Sequence, residues 1–258
     1  MMTHGRKTSP APLIIAHRGS SGRAPENTIT SFRYAVQDGA DMIEFDVRMS
    51  ADHELIVMHD QTLRRTTNGS GYLRLKTVRA LQQLDAGSWF SPRFRGERIP
   101  TLRSVITDLP SHLSFNVEVK TDGDRRRNTL VLEALHRLII DYRLSSRIVM
   151  SSFDHRFLRR LHLLAPDLRI GVLLLPLGGG VRRPGRFVRT LGAQWIVCAR
   201  RQARKRLVEQ AHHAGLRVAC YTVNSVEEYD HVCRLGVDAV VTNYPALLSR
   251  RRKTHSER

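Results

Sequence analysis

Along the chain, short apolar runs rich in β-branched residues alternate with segments of helical period. LIIAH (residues 13–17) comes first, NTITSFRYAVQDG then carries apolar positions three and four apart, and DMIEFDV follows. Further on stand LSFNVEVK, RIVMSSF, RIGVLLL, QWIVCA, RVACYTV and VDAVVTN, separated by amphipathic stretches such as RNTLVLEALHRLIIDYR and ARKRLVEQAHHAG. Alternation of this kind predicts a parallel sheet covered by helices. LIIAH, DMIEFDV and the six later runs make eight strands, the number that closes a TIM-type (β/α)8 barrel.

ELIVMHD is left out of that count for a physical reason. Only six residues separate Val47 from Glu54, whereas a parallel crossover needs about a dozen. The segment is therefore expected to be the returning arm of a hairpin that brings His59 back to about the level of Asp46. From 61 to 100 the pattern fails: the stretch is rich in Gly, Ser and Arg, with one short helix expected over residues 76–84. Such a segment in a barrel reads as an inserted subdomain or lid after the second strand and its hairpin. A single domain is expected over residues 12–248, with residues 1–11 and 249–258 as frayed ends.

Composition narrows the class. At 258 residues and 41% hydrophobic, the chain has ample material for a core. No run approaches the about 18 apolar residues of a membrane span, and LIIA is the only apolar run near the start, which does not make a secretory signal. Cys198, Cys220 and Cys233 lack CxxC spacing and read as reduced thiols, giving an expectation of a cytoplasmic protein. Lys plus Arg 42 against Asp plus Glu 24 gives a net charge of +18. Apart from the single Phe187, the basic clusters at 182–189, 200–206 and in the tail carry no interleaved aromatics, and none has zinc spacing or a helix-turn-helix pattern. They are read as a solvated basic face with no specific nucleic-acid partner, and weak association with an anionic membrane surface is the sharper alternative.

In barrels of this class the residues at the carboxyl ends of the strands line the functional site. Those ends carry His17 and Arg18, Glu44 and Asp46, Glu118 and Lys120, with His59 delivered by the hairpin. Glu44 and Asp46 are two apart, as are Glu118 and Lys120, so each pair shares a strand face. Three carboxylates converging on one rim repel one another unless a cation sits between them. Oxygen donors alone suit a hard divalent ion, Mg²⁺ or Ca²⁺, rather than zinc. Carboxylates, histidines and fixed cations together are what a phosphoryl-transfer site requires.

HRGSSGRAPENT (from His17), EFDVRMSADHELIVMHDQTLRRTTNGSG, GERIPTL, FNVEVK, SSFD, YTVN and GVDAVVTNYP occur in this order. In that succession the chain resembles the glycerophosphodiester phosphodiesterase family over residues 13–248. The resemblance implies a divalent-metal phosphoric diester hydrolase that releases an alcohol and glycerol 3-phosphate from small glycerophosphodiesters. By position, Glu44, Asp46 and Glu118 would be metal ligands, His17 and His59 the acid–base pair, and Arg18 and Lys120 the phosphate-binding cations. Glu26 and Asn27 would shape the metal and phosphate environment. Tyr221 stands where the family usually has Trp, which bears on how the alcohol portion packs. Asn243 stands where Asp is common, at a position expected to lie away from the chemistry.

The nucleophile is left open between water and the glycerol 2-hydroxyl, as is which histidine is base and which acid. Trp89 and Phe90 are expected chiefly to pack the insertion onto the barrel. Lysophospholipase D-type action on lysophospholipids is the alternative within the enzyme class. A non-catalytic basic barrel that binds nucleic acid or an anionic membrane is the alternative outside it.

Overall fold

The period-two alternation of the strands builds two apolar layers, one inside the barrel and one outside. In β1 (Leu13–His17), Ile14 and Ala16 face the helices while Leu13, Ile15 and His17 face inward. In β2 (Met42–Met49), Ile43, Phe45 and Val47 pack outward, and Met42, Glu44, Asp46 and Arg48 share the other face. The computed structural model describes residues 11–175 and 188–256. The expectation of a frayed start falls, but for residue 11, outside the described residues, as does most of the basic cluster at 182–189.

Strand β3 (Leu55–Val57) runs antiparallel to β2, with Val47 opposite Val57 and Met49 opposite Leu55. The remaining strands are β4 (Ser114–Val119), β5 (Ile148–Ser152), β6 (Arg169–Leu173), β7 (Trp195–Ala199), β8 (Arg217–Tyr221) and β9 (Ala239–Thr242). All but β3 are parallel to their neighbours, in the order β1-β9-β8-β7-β6-β5-β4-β2, and β1 pairs with β2 to close the ring. The eight expected strands are the eight staves. The backbone N–H of Met58 donates to the Asp46 carbonyl at 2.9 Å, so the hairpin return sets His59 beside the carboxyl end of β2.

The covering helices are α1 (Ile29–Gln37), α2 (Val78–Leu81), α3 (Leu102–Asp108), α4 (Arg125–Asp141), α5 (His155–Leu164), α6 (Lys205–His213), α7 (Val226–Leu235) and α8 (Pro245–Ser256). Their starts are written in the sequence as capping residues: Thr28, Asp124, Asp154 and Ser225 each accept a hydrogen bond from an early backbone amide. Phe32, Phe45 and Phe115 of the outer layer are wholly buried, and burial of one such side chain contributes roughly 1.5–3 kcal/mol. A smaller set, including Ile15, Val149, Trp195, Val197 and Val241, fills the barrel interior below the rim. No helix among the described residues is long and apolar enough to cross a membrane.

Residues 61–100 form a small layer over the hairpin with a core of its own: Leu63, Leu73, Leu81, Ala86 and Ile99 close on Ile56 and Met58. The helix expected at 76–84 shrinks to α2, four residues capped by Thr77, with Leu84 beyond its end still packed on the insertion's core. Phe90 packs edge-on against both Trp89 and Phe94 at 5.7 Å, while Trp89 stays 39% exposed.

The chain beyond Leu248 departs from the expected frayed end. Helix α8 continues to Ser256, held by Ser249 Oγ donating to the Gly39 carbonyl at 2.9 Å and by Arg251 and Arg252 paired with Asp230 and Asp41. Ion pairs across the base of the barrel fix a helix whose composition shows no apolar stripe.

Candidate active site

Register places the acids. Asp46 of β2 lies opposite Glu118 of the neighbouring β4, and Glu44 lies opposite His17 of β1 on the other side. Three adjacent strands therefore lift Glu44, Asp46, Glu118 and His17 to one stretch of the rim. One oxygen from each of the three acids lies within 4.8 Å of the others. Glu44 and Asp46 are buried, and Glu118 nearly so.

A tight turn after β1 brings in the first cation. Arg18 and Gly19 both adopt positive φ, 56° and 83°. A Cβ on Gly19 would fall 2.6 Å from the backbone of Ser31, so only glycine admits the turn. The turn aims the Arg18 amide at Glu44 Oε2, 2.9 Å away, and its guanidinium at Asp46 Oδ2 (3.1 Å) and Glu26 Oε1 (2.8 Å). Asn27, also at positive φ, donates from Nδ2 to Asp46 Oδ2 at 3.0 Å. Lys120 approaches from the far side, with Nζ 3.1 Å from Asp46 Oδ1 and in contact with Glu118.

This arrangement splits the acids electrostatically. Burial opposes charge on Asp46, but Lys120 and Arg18 outweigh it and hold its carboxyl well below the usual range. Burial, then the charges of Asp46 and Glu118, pushes Glu44 well above the ordinary carboxylate value. Glu118 is raised by burial and by Asp46. Glu44 Oε1 is buried without any hydrogen-bond donor. An orphaned carboxylate oxygen among three converging acids is the donor set of a hard cation, and these residues fit one.

Both histidines stand at the same rim with different partners. His17 Nδ1 lies 2.7 Å from Asn243 Oδ1. Burial, with Arg18 adding, pushes its pKa down to about 4. His59 Nδ1 lies 2.6 Å from Asp60 Oδ1. Burial also lowers His59, against the pull of Asp46. Arg65 of the insertion clamps Asp60 and Glu26 together, with contacts of 2.7 to 3.0 Å. Tyr221 ends β8 and packs on the interior cluster, its hydroxyl pushed up to about 12 by burial.

The ten residues expected at the site from the sequence, His17, Arg18, Glu26, Asn27, Glu44, Asp46, His59, Glu118, Lys120 and Tyr221, all stand at this rim, and Asn243, Arg48, Asp60 and Arg65 join them. Asn243 corrects an expectation: it is not remote from the chemistry but touches His17. Since Ala16 is in register with Thr242, the next pair along the strands is His17 with Asn243, a signal that strand pairing alone could have supplied. Arg48, two beyond Asp46 on the same face, donates from Nε to the His59 carbonyl at 2.8 Å and pairs with Asp122. Asp60 was adjacent in sequence to His59. Arg65 lies in the aperiodic insertion, where no periodicity marks it.

A closed parallel barrel carrying buried acids, two histidines and fixed cations at its carboxyl rim defines a barrel hydrolase of the phosphoryl-transfer class. The sequence profile of the Glycerophosphoryl diester phosphodiesterase family matches residues 17–247, and the chain belongs to that family. It is 36% identical over 236 residues to the glycerophosphodiester phosphodiesterase of Caldanaerobacter subterraneus subsp. tengcongensis, covering 92% of this chain and 96% of that one. It is 33% identical to the glycerophosphodiester phosphodiesterase of Bacillus subtilis, over 93% and 86% of the two chains. Among solved structures, the phosphodiesterase of Oleispira antarctica in complex with the product sn-glycerol-3-phosphate superposes with a TM-score of 0.86 at 28% identity, covering 96% of this chain and 98% of that one. The glycerophosphodiester phosphodiesterase of Agrobacterium tumefaciens gives 0.81 at 29% identity, covering 93% and 99%.

Proposed function

We propose that this phosphoric diester hydrolase uses the rim of Glu44, Asp46, Glu118, His17 and His59 to cleave glycerophosphodiesters to glycerol 3-phosphate and an alcohol. The observation that carries the residue assignment is the convergence of three acids, two histidines and two cations from four separate segments. Glu44, Asp46 and Glu118 would hold one divalent cation, Mg²⁺ or Ca²⁺ by the all-oxygen donor set. When bound, it supplies Lewis-acid stabilisation of charge on the phosphate.

The chain's own groups do the rest. Arg18 and Lys120, which flank Asp46 from opposite sides, bind the non-bridging oxygens. A phosphodiester carries a negative charge that repels nucleophiles, and these two cations offset it. His17 is the proton acceptor: its partner is a neutral amide, and burial keeps the ring unprotonated. It takes the proton of the attacking hydroxyl, water or the glycerol 2-hydroxyl, as the new P–O bond forms; where the 2-hydroxyl attacks, the product of that step is a cyclic phosphate, which water then opens to glycerol 3-phosphate. His59 gives a proton to the alcohol as the old P–O bond breaks, and the Asp60 carboxylate at its Nδ1 stabilises the charged ring that must precede that transfer.

Cys198 and Cys220 lie in register on neighbouring strands as free thiols, which supports action in the reducing cytoplasm. The test is release of glycerol 3-phosphate from glycerophosphocholine by purified protein, then with EDTA, then with Mg²⁺ or Ca²⁺ restored. Release abolished by EDTA and recovered with a metal is expected. Release undiminished by EDTA would remove the cation from the reading.

A further inference from the structure

Asn243 is built into the rim more firmly than a substitute for a passive residue needs to be. Its backbone N–H donates to Asn224 Oδ1 and its carbonyl accepts from the Gly22 amide, both at 2.9 Å. Asn224 is in turn fixed by its own amide donating to Glu228 Oε2 at 2.8 Å, and Glu228 pairs with Arg200 at 3.0 Å. The loops after β1, β8 and β9 are thus stitched around one residue. At the rim, that rigidity fixes the 2.7 Å contact between Asn243 Oδ1 and His17 Nδ1.

We infer that Asn243 is a positioning residue, whose amide oxygen accepts the Nδ1 proton of His17 and so holds the ring in the tautomer with an unprotonated Nε2. An acceptor at one ring nitrogen requires the proton there and leaves the lone pair on the other. The inference rests on the reading of His17 as proton acceptor, since only the unprotonated Nε2 can take a proton. An amide performs this task without placing another negative charge beside Glu26, Glu44, Asp46 and Glu118. Asn224 acts one step further back, through the backbone of Asn243.

The variants are Asn243→Leu, close in shape with no acceptor, and Asn243→Asp, which restores the acceptor. Both retain the backbone bonds of residue 243, and Asn243→Ser serves if the Leu variant does not fold. Two readouts are taken on Mg²⁺-supplemented protein: kcat and KM for glycerophosphocholine, and the ring ¹⁵N shifts of His17 at neutral pH. In the wild type, a protonated Nδ1 and an unprotonated Nε2 are expected. The Leu variant should lose roughly 10- to 100-fold in kcat, the usual cost of removing an orienting partner, with KM within about twofold and the ring shifted toward Nε2–H. The Asp variant should recover most of kcat.

A wild-type ring protonated at Nε2 would overturn the inference, since Asn243 would then donate rather than accept. An unaltered tautomer in the Leu variant would do the same, whatever its activity, as would a loss confined to KM. The ¹⁵N readout does not need turnover. A tautomer that switches in a protein inactive on glycerophosphodiesters would keep the positioning role and sink the catalytic reading instead.

Discussion

Asp46 is the point on which the charges of the rim balance. Its two oxygens meet Arg18 and Asn27 on one side and Lys120 on the other, so it stays ionised while buried Glu44, facing mainly other acids, is pushed upward. Lys120 touches both Asp46 and Glu118, and on the proposed mechanism removing its charge does two things at once: it loses a donor to the phosphate and leaves the acids less compensated. Lys120→Met should lower kcat/KM for glycerophosphocholine by roughly 10²- to 10³-fold, the range seen when one charge-stabilising donor is deleted. Because the methionine keeps the length of the stem, the thermal unfolding temperature should change little in metal-loaded protein. A drop under about threefold in kcat/KM would remove Lys120 from phosphate binding.

Among the elements, the insertion depends on a carboxylate that no periodicity marks. Asp85 accepts from the amides of Gly87, Ser88 and Gly96 and from the Ser88 hydroxyl at 2.7 to 2.9 Å, which binds the two ends of the Trp89–Phe94 turn. Those hydrogen bonds hold its carboxyl far below the ordinary value, with the Ser88 amide the largest contributor. A depressed pKa means that the folded insertion prefers the charged form, so its support is full above the unfolded value of about 3.9 and is lost as pH falls below it. Asp85→Ala should destabilise this layer by about 1–3 kcal/mol. Hydrogen exchange would show faster opening confined to residues 61–100, with β4 to β9 unchanged; uniform acceleration across the barrel would mean that the insertion is not an independent unit.

The same contrast explains what could be read from the chain. Strands β1 to β9 are legible because alternation and β-branched runs are local signals, and the hairpin is legible because six residues cannot make a parallel crossover. The seven principal rim residues follow from strand ends. Helix α8 is not legible: ALLSRRRKTHS offers charge without an apolar stripe, and its partners Asp41, Asp230 and Gly39 are distant in sequence. Asn243 is misjudged for the same reason, since its partner His17 is 226 positions away and the two meet only when β9 closes against β1.

At the scale of the whole molecule, a chain of net charge +18 carries a rim crowded with acids. The insertion beside that rim carries eight Lys and Arg against Asp85 and Glu97. Some of this charge is committed: Arg65 to Glu26 and Asp60, Arg98 to backbone carbonyls. The remainder makes a positive field outside a locally acidic site, an arrangement that gathers anions without binding them at any one arginine. Such a field acts during approach, so it should appear in kcat/KM and not in kcat. It should also depend on substrate charge. Glycerophosphocholine is a zwitterion with no net charge, whereas glycerophosphoserine and glycerophosphoglycerol are net anions. Raising salt from about 0.02 to 0.3 M shortens the screening length from roughly 20 to 6 Å. Over that range kcat/KM for the net anions should fall several-fold, that for glycerophosphocholine should change by less than about twofold, and kcat should hold for both. An equal fall for all three substrates would show that salt acts on the pairs within the rim, Arg18 with Asp46 and Lys120 with Glu118, rather than on the field around it.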